Sequence, residues 1–242
     1  MRIFKKRTLL ANNAEYLGYW IENIKDGYGC LLLPDGSKLE VQFKNDKVNG
    51  YGNIVYSNGA IYFGEWLNNR RHGKGLYTYP DLTTYQGEWI NDIPDGIGCE
   101  IYPDSSNYDG EFQGGKREGN GFYIWPNGCE YKGQFFNNAM NGKGIFQWKN
   151  GNTYEGFWRN NKMNGFGLIK YSDQRIFAGE FVDNKKEGIG TLYFPDKSQI
   201  KGLWKNNKLN GKAIFIDSNN VRRVGKWDNG KLISWVSKSI VT

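Results

Sequence analysis

The chain has 242 residues, of which 16% are aromatic and 33 are glycine, and a formal net charge of +7. A mean hydropathy of −0.70 beside so many rings argues for a thin structure rather than a thick aliphatic core, and no apolar run approaches the roughly 20 residues that cross a bilayer as a helix. Three cysteines without a CxxC pair (Cys30, Cys99, Cys129) and a single histidine, His72, argue against a disulfide framework, a structural zinc site and a nucleophilic triad; no catalytic residue, metal or cofactor is expected.

Residues 1–15 read as an N-terminal extension, basic but without the apolar core or small-residue cleavage site of a signal peptide. From Tyr16 onward the sequence repeats every 23 residues without insertion, through Leu39, Tyr62, Tyr85, Tyr108, Tyr131, Tyr154, Phe177 and Ile200 to Arg223. Two residues after each start stands Gly18, Val41, Gly64, Gly87, Gly110, Gly133, Gly156, Gly179, Gly202 or Gly225, and two further on every unit has an aromatic, from Trp20 and Phe43 to Trp204 and Trp227. A glycine pair follows, such as Gly73 and Gly75 or Gly165 and Gly167.

Each unit parses as strand, turn, strand, turn. The alternation of Tyr62, Gly64 and Trp66 has the period of a strand, and "NNRRHG" or "NNKMNG" is rich in Asn and Gly, which accept positive φ. A second strand such as "GKGLYTY" ends on an aromatic column that includes Tyr79, Tyr102, Trp125, Trp148 and Tyr171, and a "PDG" or "SNG" turn closes the unit. One unit is therefore one β-hairpin, repeated nine times with a partial tenth, over residues 16–235. Short turns on both sides predict an all-β, single-layer antiparallel meander, a solenoid-like rod of stacked hairpins of roughly nineteen strands and on the order of 90 Å. Residues 236–242 are left as a C-terminal tail, and the edge strand at each end is open to pairing with another chain.

The glycines are expected to seat the rings of Tyr154, Trp158 and their equivalents over bare backbone, giving a continuous aromatic face. They lack the third glycine and the following helix of a phosphate loop. The opposite face carries Tyr28, Ile97, Phe166, Leu168 and Ile189, which reflect either strand propensity with curling of the sheet or an apolar surface that a partner would cover. Cys30 and Cys99 fall at equivalent positions three units apart, too far for a disulfide. Glu65, Glu88, Glu111 and Glu180 recur once per unit and read as a solvated ladder. Arg70, Arg71, Lys116, Arg117, Lys162, Lys185, Lys186 and Lys208 all fall at the same turn, which places them on one edge as candidates for an anionic protein or a lipid headgroup. No nucleic-acid motif appears.

Stretches such as "YFGEWLNNRRHGKGLYTYPD" and "YEGFWRNNKMNGFGLIKYSD" resemble MORN repeats, with their Tyr-x-Gly-x-Trp/Phe, polar turn and Gly-x-Gly, over Tyr16 to about Lys231. The resemblance implies an elongated, trough-shaped single sheet that serves as a scaffold for other proteins, in some members within ciliary radial-spoke heads or parasite cytoskeletons, in others beside membranes. Some relatives are fused to lipid kinases or methyltransferases, and the match leaves no stretch of this sequence for such a domain. The expected function is a non-enzymatic scaffold in a multi-subunit cytoskeletal assembly, plausibly a ciliary axoneme, in the cytoplasm. Its partners would engage the end strands and the trough, with Trp66, Tyr79, Trp89, Tyr102, Trp125, Trp148, Trp158 and Tyr171 as binding candidates, and edge-strand pairing would permit a homo-oligomer. The alternative is an adaptor bound to an anionic membrane surface through the basic turn.

Overall fold

The computed structural model describes residues 1–236 and 240–241, and the chain divides into two compact units, Met1–Gly119 and Asn120–Thr242. The described residues form strands joined by turns, with no helix. In the first unit Ile3–Leu9, Glu15–Ile21, Ile24–Leu32, Lys38–Lys44, Lys47–Val55, Ile61–Leu67, Arg70–Thr78, Thr84–Ile90, Ile93–Ile101 and Asn107–Gln113 each pair antiparallel with the next. In the second, the same order runs from Glu130–Phe136 through Ala139–Gln147, Thr153–Arg159, Lys162–Lys170, Ile176–Val182, Lys185–Tyr193, Gln199–Lys205 and Lys208–Ile216 to Val221–Asp228. Lys116–Ile124 spans the division. Each unit is thus a single-layer antiparallel meander, the architecture that the 23-residue period predicts.

Turn chemistry sets this order. Asn68 and Asn69, at φ 51° and 68°, make a two-residue turn whose twist suits a hairpin, and Asn160 with Asn161 repeats it at 47° and 64°. At the other end of the unit, Tyr56 donates its backbone N–H to the Ala60 carbonyl (2.9 Å), while Asn58 Oδ1 accepts the Ala60 N–H (3.0 Å).

A bulge recurs from hairpin to hairpin, as where Gly64 faces Gly75 and Trp66 faces Arg71, leaving Glu65 opposite three residues centred on Gly73, at φ 63°. Two extra residues keep the side-chain alternation in phase, so both strands send their apolar residues to one face. Glu65 accepts the backbone N–H of Lys74 (3.0 Å) and Glu88 that of Ile97 (3.1 Å); these glutamates close the bulge, a role absent from the expectation of a solvated ladder. His72 lies inside one bulge, its buried Nδ1 without a partner among the described residues.

On one face Tyr16, Tyr62, Tyr85, Tyr108, Tyr131, Tyr154 and Phe177 are fully buried. The other exposes Tyr28, Ile97, Phe166 and Ile189, each more than half open. The N-terminal extension does not hang free: Ile3–Leu9 adds a strand to the first hairpin and Arg2 pairs with Asp26 at 2.7 Å. At the other end Lys231–Trp235 pairs with Val221–Asp228, and Ile240–Val241 also meets that strand. The expected tail over 236–242 falls largely outside the described residues.

Candidate functional site

The aromatic face is built one glycine pair at a time. The Tyr154 ring lies across Gly156 and Gly167, where a Cβ on either glycine would collide with it and one on Gly156 would stand 2.7 Å from the Gly167 Cα. Its hydroxyl donates to the Phe157 carbonyl (3.0 Å), and burial pushes the phenol up to about 12. Trp158 stands edge-on to Tyr154 (centroids 5.2 Å, 86°) and to Tyr131 of the preceding repeat (5.4 Å, 82°). Its indole N–H reaches the Gly144 carbonyl at 3.3 Å, as those of Trp66, Trp89 and Trp204 reach Gly52, Gly75 and Gly190 at 3.2 Å. The tyrosine therefore takes the seat in its own repeat, and Trp66, Trp89, Trp158 and Trp204 each seal the seam to the repeat before.

That packing divides the candidate aromatics. Trp66, Trp89 and Trp158 are 7%, 2% and 6% exposed and enclosed by neighbouring rings. Tyr79, Tyr102, Trp125, Trp148 and Tyr171, at the ends of the second strands, are half-buried. They lie against inner-face partners that the aromatic column alone did not single out, Tyr77 beside Tyr79 (4.5 Å), Tyr123 beside Trp125 (4.5 Å) and Phe146 beside Trp148 (4.9 Å). The signal for these was a second column two residues upstream.

The basic residues divide as well, because adjacent strand positions point to opposite faces. Arg70, Lys116, Lys162, Lys185 and Lys208 are exposed, whereas Arg71, Arg117 and Lys186 are half-buried on the aromatic face. Lys162 stands 3.7 Å from Asp183, and Lys185 Nζ donates to Asn206 (3.1 Å). The inward set lies on rings. The Arg71 guanidinium is 4.6 Å from Trp89 and 4.9 Å from Tyr77, and Arg117 is 5.5 Å from Tyr108. Lys186 Nζ is 4.8 Å from Phe177 and 5.2 Å from both Tyr171 and Trp204. Lys25 holds the same repeat position near Tyr16, Trp20 and Phe43.

A reciprocal clasp joins this position to the turn 21 residues downstream. Asn161 Oδ1 accepts the Met140 N–H (2.8 Å) and its own N–H returns to the Met140 carbonyl (3.0 Å). Asn184 treats Met163 alike, and Asn69 does so for Val48. At Lys25 and Arg71 the downstream residue is Asp. Asp46 Oδ1 takes the Lys25 N–H (2.9 Å) and its ammonium (2.9 Å), and Asp92 Oδ1 takes the Arg71 N–H (2.9 Å) and guanidinium (3.2 Å). Burial raises the Asp46 carboxyl, but the bonds from Lys25 outweigh it and hold the group below its ordinary value. The 21-residue spacing in "NN" and "ND" is visible in the sequence, yet nothing there ties it to a residue in another repeat.

No group of three or more His, Cys, Asp and Glu side chains that could hold a metal occurs among the described residues, nor does any helix long and apolar enough to cross a membrane. The surface of the described residues offers rings, cations and strand edges.

Among solved structures, the wild-type TCP10 domain of Danio rerio CPAP in complex with a peptide of Danio rerio STIL shares the fold, with 13% identity and a TM-score of 0.53 over 98% of this chain and 100% of that one. A second structure of the wild-type TCP10 domain of Danio rerio CPAP matches with 13% identity and a TM-score of 0.50 over 86% of this chain and 99% of that one. No curated protein matches the sequence. The MORN repeat matches at residues 16–38, 42–61, 62–84, 85–106, 108–130, 131–153, 154–174, 177–199 and 201–222. With most of its length in those nine matches, the chain belongs to the MORN-repeat family.

Proposed function

We propose that this chain is a non-enzymatic scaffold that holds an extended segment of a partner protein along the half-exposed rim of its aromatic face. The observation that carries the reading is the division of the rings: Trp66, Trp89 and Trp158 are spent on one another, while Trp125, Trp148 and Tyr171 keep surface for a ligand. Partly open aromatic side chains are strong anchors, because they bury large area at low entropic cost. A peptide as occupant is supported by the fold relative solved with a STIL peptide, and the MORN family supports a repeat scaffold. The setting we propose is a larger cytoskeletal assembly, with a ciliary radial-spoke head as its most concrete form.

A photoreactive residue placed at Trp148 or Tyr171 tests this in extract of the native cell. The expected product is one dominant adduct to a cytoskeletal protein, lost in a Trp125→Ala, Trp148→Ala, Tyr171→Ala variant that keeps its circular dichroism. Adducts equal to those from the exposed Lys44 position would overturn it. Sedimentation with phosphatidylserine vesicles that depends on Arg70, Lys162, Lys185 and Lys208 would favour the membrane-bound adaptor instead.

A further inference from the structure

Lys186 does not meet the aspartate that Lys25 and Arg71 meet; as Arg117 has Asn138, it has an asparagine 21 residues downstream. Its downstream residue is Asn207, whose Oδ1 accepts the Lys186 backbone N–H at 2.8 Å and whose N–H returns to the Lys186 carbonyl at 3.1 Å. The clasp is intact and the charge is missing. Among the described residues the Lys186 ammonium has no ion-pair partner, and the neighbouring Arg175 is itself engaged with Asp173 at 2.8 Å. Burial among the rings, with the Arg175 charge beside it, lowers the ammonium to about 8.

The space around it is open. A cavity of about 390 Å³ is lined by Lys186, Arg175 and Lys208 and walled by Trp204, Leu209 and Trp227. Trp227 adds a second unmet demand. Its buried indole N–H has no hydrogen-bond partner among the described residues, whereas those of Trp66, Trp89, Trp158 and Trp204 are satisfied. The equivalent recess in Met1–Gly119 also holds a cation, Lys25, but Asp46 lies in it and neutralises that charge.

We propose that Lys186, with Arg175, receives the carboxylate of an acidic side chain from the bound partner peptide. The proposal rests on the peptide-binding reading above and gives that peptide its chemistry: Asp or Glu set beside an apolar residue that meets Trp204 and Leu209. The repeat itself names the missing group, since Lys25 and Arg71 take an aspartate at the corresponding place. A buried cation on an aromatic wall is poorly solvated and gains most from a charge-assisted bond. The fold does not require a cation there, because Met140, Met163 and Leu209 fill the same position elsewhere.

The probe is N-acetylglutamate amide, titrated into the full chain while the Lys186 side chain is followed by NMR, with N-acetylglutamine amide as the neutral control. The expected result is a saturable Lys186 shift with a raised pKa, and binding roughly tenfold or more tighter than the control. Lys186→Met, which installs the residue found at Met140 and Met163, abolishes it in a folded protein. Asn207→Asp supplies the carboxylate from within the chain, raises the Lys186 pKa and also abolishes it. Equal response to the glutamine analogue, or undiminished binding in Asn207→Asp, overturns the proposal. So does a Lys186 response confined to inorganic phosphate or to phosphatidylserine vesicles, which would assign the site to a phosphate or a membrane. A dominant adduct at Trp148 with Lys186 silent removes the carboxylate site alone; a Lys186 response to glutamate without any adduct removes the partner reading and leaves the site supported.

Discussion

Arg71, in Met1–Gly119, and Lys186, in Asn120–Thr242, stand at the same position of their repeats and on the same kind of aromatic wall, yet one is answered by Asp92 and the other by Asn207. Both downstream residues make the backbone clasp, with oxygen-to-nitrogen distances of 2.9 Å and 2.8 Å. The difference teaches that the clasp belongs to the fold and the carboxylate does not. An amide suffices to join repeats, and at Lys25 and Arg71 an acid adds a neutralising charge.

The largest effect should be the one that the two regions share. Trp89→Ala and Trp204→Ala each remove a buried indole and its bond to a glycine carbonyl, and each should cost about 3–5 kcal/mol in urea unfolding; a much smaller cost in either would break the equivalence of the two walls. Next come paired substitutions of opposite sign. Asp92→Asn keeps the clasp but strands Arg71, a loss of about 1–2 kcal/mol given the partial exposure of the pair. Asn207→Asp should gain about 0.5–1 kcal/mol at neutral pH. Equal signs would show that the carboxylate is incidental.

The pH dependence should separate the regions without mutation. The Lys186 ammonium is lowered to about 8 in the folded chain, against about 10.4 unfolded. Between those values the unfolded chain holds more protons, so this group makes stability rise as pH goes from about 8 to about 10.4, and its penalty is fully present below pH 8. Asp46, held low by Lys25, contributes in the opposite range: its stabilisation is present above the ordinary carboxylate pKa and is lost as pH falls through its depressed value. Lys186→Met should erase the alkaline rise, leave the acid loss, and by itself stabilise the protein at pH 7 by about 0.5–1 kcal/mol, the smallest effect of the set. A destabilised variant would show that the lysine contributes to folding after all.

Much of this was legible in the residues. The step from Tyr62 to Tyr85, the glycine pairs and the Asn-Asn turns are local and periodic, and they led directly to hairpins in sequence order. Less was legible where two repeats meet. Trp158 reads as one ring among many until its N–H is seen on Gly144, and only that bond shows it to be closed to a partner. Arg70 and Arg71 sit side by side in the chain and were assigned to one edge, but the strand carries them to opposite faces, and the bulge at Gly73 hid their parity. The Lys186 site was the least visible, since its defining feature is the difference between Asn207 and Asp92, a contrast with no meaning until the 21-residue clasp is known.

The clasp also sets how cohesion is distributed along the array. In a linear repeat protein each unit is coupled only to its neighbours, and the weakest coupling decides where the array parts. At Pro94 the clasp is halved: proline has no N–H to give, and Gly115 has no side chain to receive one, which leaves the Gly115 N–H on the Pro94 carbonyl at 2.9 Å, beside the Gly114 N–H on Asp95 at 2.9 Å. The two residues are exceptions to their columns for one and the same reason. Under tension, or in local opening seen by hydrogen exchange, the array should separate first at this joint rather than at its ends, so that a regular period carries a built-in breaking point.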